Sequence, residues 1–484
     1  MTSGRTTVFT AAATFWNRLT SEGYAGRSRV APVMPRSVSG RAVATMSARA
    51  FVVVAAALST LNLLVVFDGL VVTVALPAIQ DALGTTSSAT SWVITAFAVP
   101  LGGTLLLAGR LGDRIGPRPC FAGGLVLFAL GLLASGLAGT VPVLLAGRVL
   151  QGLGAGLALP NTFALASAIP APGRRRAVFA ASAVAGSSGS AVAAVIGGLL
   201  VDGLGWRSVF LVPVPVAVVT AAVLWTMLPG EGRDRGVSLP WTSSAWFVAA
   251  AAATVLTISA GSWPAAGVAV VALAGFVVTE RRRRDPLLPR GVLAQRSLRG
   301  ALLGMPGQVV AYNGIVYVGL LWFQAARGLS PWAAGLAFAP VGVGAIAGSR
   351  LAMVVLARIG WRGGAVAGLL VSAGALAVLG LVPDAPYLAV VLPVLTVLGA
   401  ALALAVVTLN VAAGLDSTDG ERGAAYGVFE TTTHVSSALA VAALAVVLGA
   451  AATSADFVRA FLTQAGVTAS FTLALVVYLR RSPS

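Results

Sequence analysis

The sequence predicts an all-α, polytopic membrane protein with about fourteen spans, and three observations predict it. Of the 484 residues, 58% are hydrophobic and only 10% charged, and the mean hydropathy is +0.93; a soluble domain of this size needs more charge to cover its surface. Apolar runs of about 20 residues recur along the chain, the length that crosses ~30 Å of hydrocarbon as helix. These runs are built from Ala, Val, Leu and Gly without alternation, which fits helices and excludes barrel strands.

The elements follow in order. Residues 1–48 read as a disordered, basic cytoplasmic tail; through Arg49 the chain carries seven Arg and one Glu among Ser, Thr and Gly, with no signal-peptide pattern. Met34 and Met46 are also plausible starts. Spans are expected at 50–78, 88–109, 119–138, 142–168, 177–201, 209–228, 242–261, 263–279, 299–324, 332–356, 363–382, 386–412, 423–449 and 461–479. The net charge of +17 could point to nucleic acid, but the basic residues, all Arg, fall in short loops between the runs, so no nucleic-acid partner is expected. With the N-terminus inside, the tails, inner loops and inner ends of spans hold 28 Arg, the outer loops hold Arg207, Arg327 and Arg459, and Arg148 lies inside a span away from its inner end. This asymmetry follows the positive-inside rule. It places both termini in the cytoplasm, and the expected location is a bacterial inner (plasma) membrane. The run Arg281–Arg284 reads as a topology determinant at lipid headgroups. The single cysteine, Cys120, rules out an intrachain disulfide.

A short repeat organises the spans. Arg114-Ile115-Gly116-Pro117-Arg118 follows the second span, and Arg358-Ile359-Gly360-Trp361-Arg362 follows the tenth. If spans seven and eight are an insertion, each copy follows the second span of a six-span half. The expected organisation is then an N-terminal six-helix bundle at 49–228, two linking spans with a cytoplasmic loop at 229–298, and a C-terminal six-helix bundle at 299–484. Two parallel halves of this kind form a transporter architecture with its substrate site near the midplane between them.

Gly109-Arg110-Leu111-Gly112-Asp113-Arg114-Ile115-Gly116-Pro117-Arg118 resembles the loop signature of the major facilitator superfamily, departing at Pro117, where the family usually has a basic residue. Glycines let the helices approach and the chain turn, and Asp113 can pair with a base or cap a helix. The resemblance implies that Gly109, Asp113, Arg114, Gly116 and Arg118 latch an inner gate; the plainer alternative is a solvated charged turn. Phe67-Asp68-Gly69-Leu70-Val71-Val72-Thr73-Val74-Ala75-Leu76-Pro77 is similar to the first-span signature of the fourteen-span drug/proton antiporter branch, with Thr73 where Asn is common. Gly205-Trp206-Arg207-Ser208-Val209-Phe210, Gln324 and the two inserted spans are also similar to that branch. The resemblance covers about 50–480 and implies a major facilitator fold: two six-helix bundles plus two linking helices.

Arg148-Val149-Leu150-Gln151-Gly152-Leu153-Gly154-Ala155-Gly156 resembles the fourth-span motif, whose Arg the family implicates in proton coupling. An Arg at this depth is costly without a partner; the alternative is an Arg that snorkels to the interface. Gly152 and Gly156 are expected at a helix contact, as are Gly189, Gly197 and Gly198 in the fifth span. There Ala193-Ala194 replace the usual Gly-Pro of the antiporter motif, which weakens the case for strict antiport.

Few acids can serve proton chemistry. Only Asp68 and Glu430 lie well inside expected spans, where burial favours the neutral carboxyl and lets it take and release a proton; the alternative for Asp68 is a packing acid with a fixed hydrogen bond. Glu430 and His434, the sole histidine, stand four apart on one helix face. Two readings are open, a titrating pair and a local salt bridge. Tyr312, Asn313 and Tyr317 are the candidate substrate-cavity residues of the ninth span.

No phosphate loop, zinc set or nucleophile–base–acid set is present, so neither an enzyme, a metal nor a cofactor is expected; a proton gradient would drive the work. The function expected is proton-coupled export of small amphipathic or apolar compounds (a drug, an antibiotic or a secondary metabolite) by a monomer whose partners are substrate, protons and the lipid bilayer. An importer or uniporter on the same fold, and a non-transporting membrane receptor, are the alternatives.

Overall fold

The computed structural model describes residues 47–167, 169, 172–228, 239–283, 286, 290–418, 421–449 and 453–481. Residues 1–46 of the expected tail, Arg233, Arg235 and Arg284 lie outside them. All the described regular structure is helical. We number the helices α1 (Ala48–Leu83), α2 (Ser87–Ile115), α3 (Pro117–Gly136), α4 (Val141–Ser167), α5 (Pro172–Leu204), α6 (Ser208–Met227), α7 (Trp241–Ala260), α8 (Trp263–Arg282) and α9 (Arg296–Ala326). The helix Pro331–Leu381 is broken at Gly360 and gives α10 (331–359) and α11 (361–381). Then come α12 (Tyr387–Leu415), α13 (Arg422–Leu448) and α14 (Ser454–Arg481).

Among the described residues, eleven helices are long and apolar enough to cross a membrane, or twelve if α2, bent by 53° between Leu105 and Leu107, is one span. The break at Gly360 divides one of these helices in two, and α5 adds a helix of 33 residues. The helix order therefore accommodates the fourteen passes expected.

Local chemistry sets the ends. Ser47, Thr86, Ser262 and Ser330 cap α1, α2, α8 and α10 by accepting a backbone N–H three residues on. Pro117 and Pro331 occupy the first turns of α3 and α10, where no N–H is missed. Gly116 (φ 100°) and Gly360 (φ 68°) hold the same place in the two copies of the repeat, and both turn the chain through a conformation that disfavours side chains. In α2, Pro100 donates no hydrogen bond and its carbonyl accepts from Thr104 Oγ1 at 2.7 Å, a diversion that bends helices.

Within the first half α1 packs on α5, α2 and α3 on α4, and α3 on α6; within the second, α9 packs on α12, α13 and α14. The inserted pair lies outside these bundles. α7 rests on both α2 and α13, with Ala251 and Val255 buried against Ala98, Val99, Ala438 and Ala442, and Val248 fills the space over Gly103. α8 packs on α7 through Phe247 and Phe276, with ring centroids 5.4 Å apart, and leaves Trp263, Val270 and Val271 exposed.

Candidate coupling site and gates

Asp68 on α1 and Arg148 on α4 face each other inside the first bundle, 4% and 1% exposed. One Arg148 terminal nitrogen donates to both Asp68 oxygens at 2.8 Å and to Gln151 Oε1 at 2.8 Å. Gln151 Nε2 donates to Asp68 Oδ1 at 2.7 Å, closing the triangle. Arg148 Nε donates to the Val93 carbonyl of α2 at 2.8 Å, and the guanidinium lies 4.5 Å from the Phe97 ring centroid. The partner that an intramembrane Arg requires is therefore Asp68. Arg148 and Gln151 reach the same carboxylate because residues three apart share a helix face. The sequence carries that spacing, but gave Gln151 no role. Val93 and Arg148 each lie about two turns from the start of their helices, roughly 10 Å in, on the side opposite the Arg-rich loops.

Of the glycines expected at contacts, Gly152, Gly156 and Gly198 sit where no side chain fits. A Cβ on Gly152 would overlap the Phe97 carbonyl oxygen, one on Gly156 the Thr104 hydroxyl, and one on Gly197 would press on Val71 at 3.1 Å. Gly198 faces the other bundle, and its Cβ would stand 2.5 Å from the Pro331 carbonyl oxygen. The surroundings of Gly189 lie outside the described residues.

Around Gly198 the two bundles meet on the face opposite the Arg-rich loops. A Cβ on Gly335 would overlap the Ala194 carbonyl oxygen. Asp202 Oδ2 accepts from the backbone N–H of Trp332 at 3.0 Å, in the first turn of α10. Gln324 Nε2 donates to the Val74 carbonyl at 3.3 Å. The buried core there is continuous across both bundles, joining Val71 and Val74 to Val316, Leu320 and Phe338. On the Arg-rich side the second bundle has a separate core built on Leu298, Met305, Leu409, Phe429 and Leu475. Ala193-Ala194, where the resemblance leads one to expect Gly-Pro, is part of this seal, and Asp202 is a seam residue that sequence reasoning missed.

The 109–118 loop is built for a tight turn. Gly112 lies so close to Asn161 of α4 that a Cβ would overlap its side chain, and the Gly116 N–H donates to the Gly112 carbonyl at 2.8 Å. Arg118 donates to the Trp225 carbonyl of α6 and stacks 4.5 Å from its ring. Gly109 has open space around it, Asp113 is exposed and Arg114 half-buried.

Glu430 and His434 stand apart from the Asp68 network and share no hydrogen bond with it. His434 Nε2 lies 3.8 Å from Glu430 Oε2, with side chains 20% and 39% exposed. A Cβ on Gly102 of α2 would come within 3.1 Å of His434 Cβ, so the pair borders the α2–α13 crossing between the bundles. On α9, Tyr317 is buried, and Tyr312 and Asn313 are half-buried. Tyr317 sits in a π-helical segment, Ile315–Gly319, followed by a second at Trp322–Ala326; such segments recur at functional sites. Among the described residues no group of His, Cys, Asp or Glu could hold a metal ion.

Comparison with known proteins agrees with this architecture. The chain is 34% identical over 397 residues to the puromycin resistance protein pur8 of Streptomyces alboniger, covering 79% of each chain. It is 33% identical over 455 residues to the cephamycin export protein CmcT of Amycolatopsis lactamdurans, covering 85% of this chain and 87% of that one. Among solved structures, a D-xylose–proton symporter superposes with a TM-score of 0.66 at 19% identity, over 90% of this chain and 98% of the other; at that identity the likeness speaks for the fold alone. A family profile described as Major Facilitator Superfamily matches residues 58–441. The chain is a multi-pass membrane protein that belongs to the Major Facilitator Superfamily.

Proposed function

We propose that this protein exports small amphipathic or apolar compounds from a bacterial cell in exchange for protons, by alternating access and as a monomer. It lies in the inner membrane with both termini and the Arg-rich loops in the cytoplasm. The observation that carries the reading is the buried Asp68–Arg148–Gln151 triangle. Taking the charge off a carboxylate that pairs with a buried guanidinium leaves that cation without its partner, at a cost of about 3–5 kcal/mol. Proton binding to Asp68 therefore drives Arg148 to a new position, and Arg148 also holds Val93 on α2. One proton thus loosens α1, α2 and α4 together. The names of the relatives support the direction: puromycin resistance, cephamycin export, and the tetracenomycin C resistance and export protein of Streptomyces glaucescens. The close packing around Gly198 and Gly335 supports reading this conformation as closed to the outside. Tyr312, Asn313 and Tyr317 line the substrate path, the 109–118 loop closes the inner side, and Glu430–His434 titrates at the seam. No cofactor takes part.

The test is flux in reconstituted vesicles under an imposed pH gradient, starting with puromycin. Substrate moves against the proton flow in the wild type, and Asp68→Asn inserts normally but loses proton-driven movement. Efflux at the wild-type rate from Asp68→Asn vesicles, or substrate moving with the protons, refutes the reading. In the same assay Glu430→Gln and His434→Ala flatten the pH dependence of transport; unchanged profiles in both remove the pair from the cycle.

A further inference from the structure

The repeat that relates the two bundles also exposes a difference between them. Gly116 corresponds to Gly360 and Arg118 to Arg362 in the repeated loop, and the correspondence continues up both helices. Gly136 of α3 packs against Phe210 and Leu211 of α6, and Gly380 of α11 packs against Phe461 and Leu462 of α14. Carrying that register down to the Arg-rich end sets Val476 in the place of Trp225.

The consequence is local. In the first bundle Arg118 stacks on Trp225 and donates to its carbonyl, so the indole fills the corner between α3 and α6. In the second, valine leaves that corner open. A groove of about 490 Å³ lies there, walled by Val366, Leu370, Val476 and Leu479, with Arg362 and Arg480 at its polar end. None of its lining residues is acidic. Arg362 turns back over its neighbour Trp361, 5.8 Å from the ring centroid, and Arg480 is exposed. Leu370 is 53% exposed, while Gly364 and Gly368 of the same helix pack against Thr408 and Ala405 of α12, so the groove lies on the face of α11 turned away from α12. A larger groove on the other flank of α14 carries a single guanidinium, that of Arg481.

Two cations at headgroup depth above an apolar trough match one kind of molecule in a membrane. A phosphate accepts from both guanidiniums, and an acyl chain lies against aliphatic side chains at its own depth. We propose that this groove binds one anionic phospholipid, with its phosphate between Arg362 and Arg480 and one acyl chain along Val366, Leu370 and Val476. The site is independent of the export reading, which contributes only the identity of the leaflet, the inner one.

The test uses the full-length protein, equilibrated in mixed phosphatidylglycerol–phosphatidylcholine vesicles, extracted in mild detergent and weighed intact by native mass spectrometry. The expected result is retention of one phosphatidylglycerol in preference to phosphatidylcholine. Arg362→Ala and Arg480→Ala each lower that retention about fivefold, the worth of one guanidinium near an anionic headgroup. Val476→Trp keeps both charges and rebuilds the first bundle's filled corner; it also loses the lipid, while thermal unfolding stays at the wild-type temperature. Unchanged retention in these variants, or equal retention of phosphatidylcholine, overturns the proposal. Release of the lipid by excess inorganic phosphate alone overturns it too, in favour of a free-anion site. None of these readouts involves transport, so a failure here leaves the export reading standing, and the reverse.

Discussion

Asp68 and Arg148 pair in an interior where either one alone is costly. Both carboxylate oxygens accept from Arg148, and Gln151 bonds to both partners, so removing one member strands the others. Arg148→Gln alone should destabilise the protein by about 3–5 kcal/mol, the cost of an uncompensated buried charge. Asp68→Asn combined with Arg148→Gln should cost less than that single change, because no charge remains to be stranded. Thermal unfolding of the two single variants and the double variant in detergent measures this coupling; additive losses would mean that the pair is not the unit it looks to be. Sequence alone supplied both charged residues through their resemblance motifs, and supplied Gln151 only as a letter in one of them. What it could not supply was the distance between α1 and α4, which is set by packing.

At the scale of elements, the α5–α10 contact ties the two bundles together. Its backbones come close because Gly198 and Gly335 carry no side chains, and Asp202 caps the start of α10 from the other bundle. A carboxylate at that position accepts an otherwise unused N–H and faces the positive end of the helix dipole. Asp202→Ala removes about 1 kcal/mol of capping, and in the proposed alternating-access cycle all of that loss falls on the closed conformation. The expected shift toward opening is roughly fivefold. It is read as faster thiol labelling, from the outer solution, of Ala194→Cys, a site 1% exposed when the seam is closed. An unchanged labelling rate would show that Asp202 is decoration. The break at Gly360 was legible in the sequence because it repeats the loop at Gly116. The π-helical segments of α9 were not, since no side-chain pattern separates them from an α-helix.

At the scale of the molecule, hydropathy and the placement of Arg located the spans, because burial in lipid leaves few other options for an apolar run. The positions of α7 and α8 were a different matter: composition marks them as spans, but their sides carry no signal of what they touch. In the structure α7 lies along the α2–α13 crossing, with Val248 over Gly103. Gly103→Leu would put a branched side chain in the volume Val248 occupies, and such overpacking costs about 1–3 kcal/mol. Slower export with the Asp68–Arg148 pair intact is the expected outcome, measured as initial flux beside the unfolding temperature.

That position gives the inserted pair a mechanical meaning. In the proposed alternating-access cycle the two halves tilt about the α2–α13 crossing, and α7 runs alongside it, touching both partners through Ala98, Val99, Ala251, Val255, Ala438 and Ala442. The added helix thereby holds both partners from one side, with Val248 seated over Gly103. On the same reading a derivative lacking α7 would meet acyl chains along that crossing instead of a protein surface.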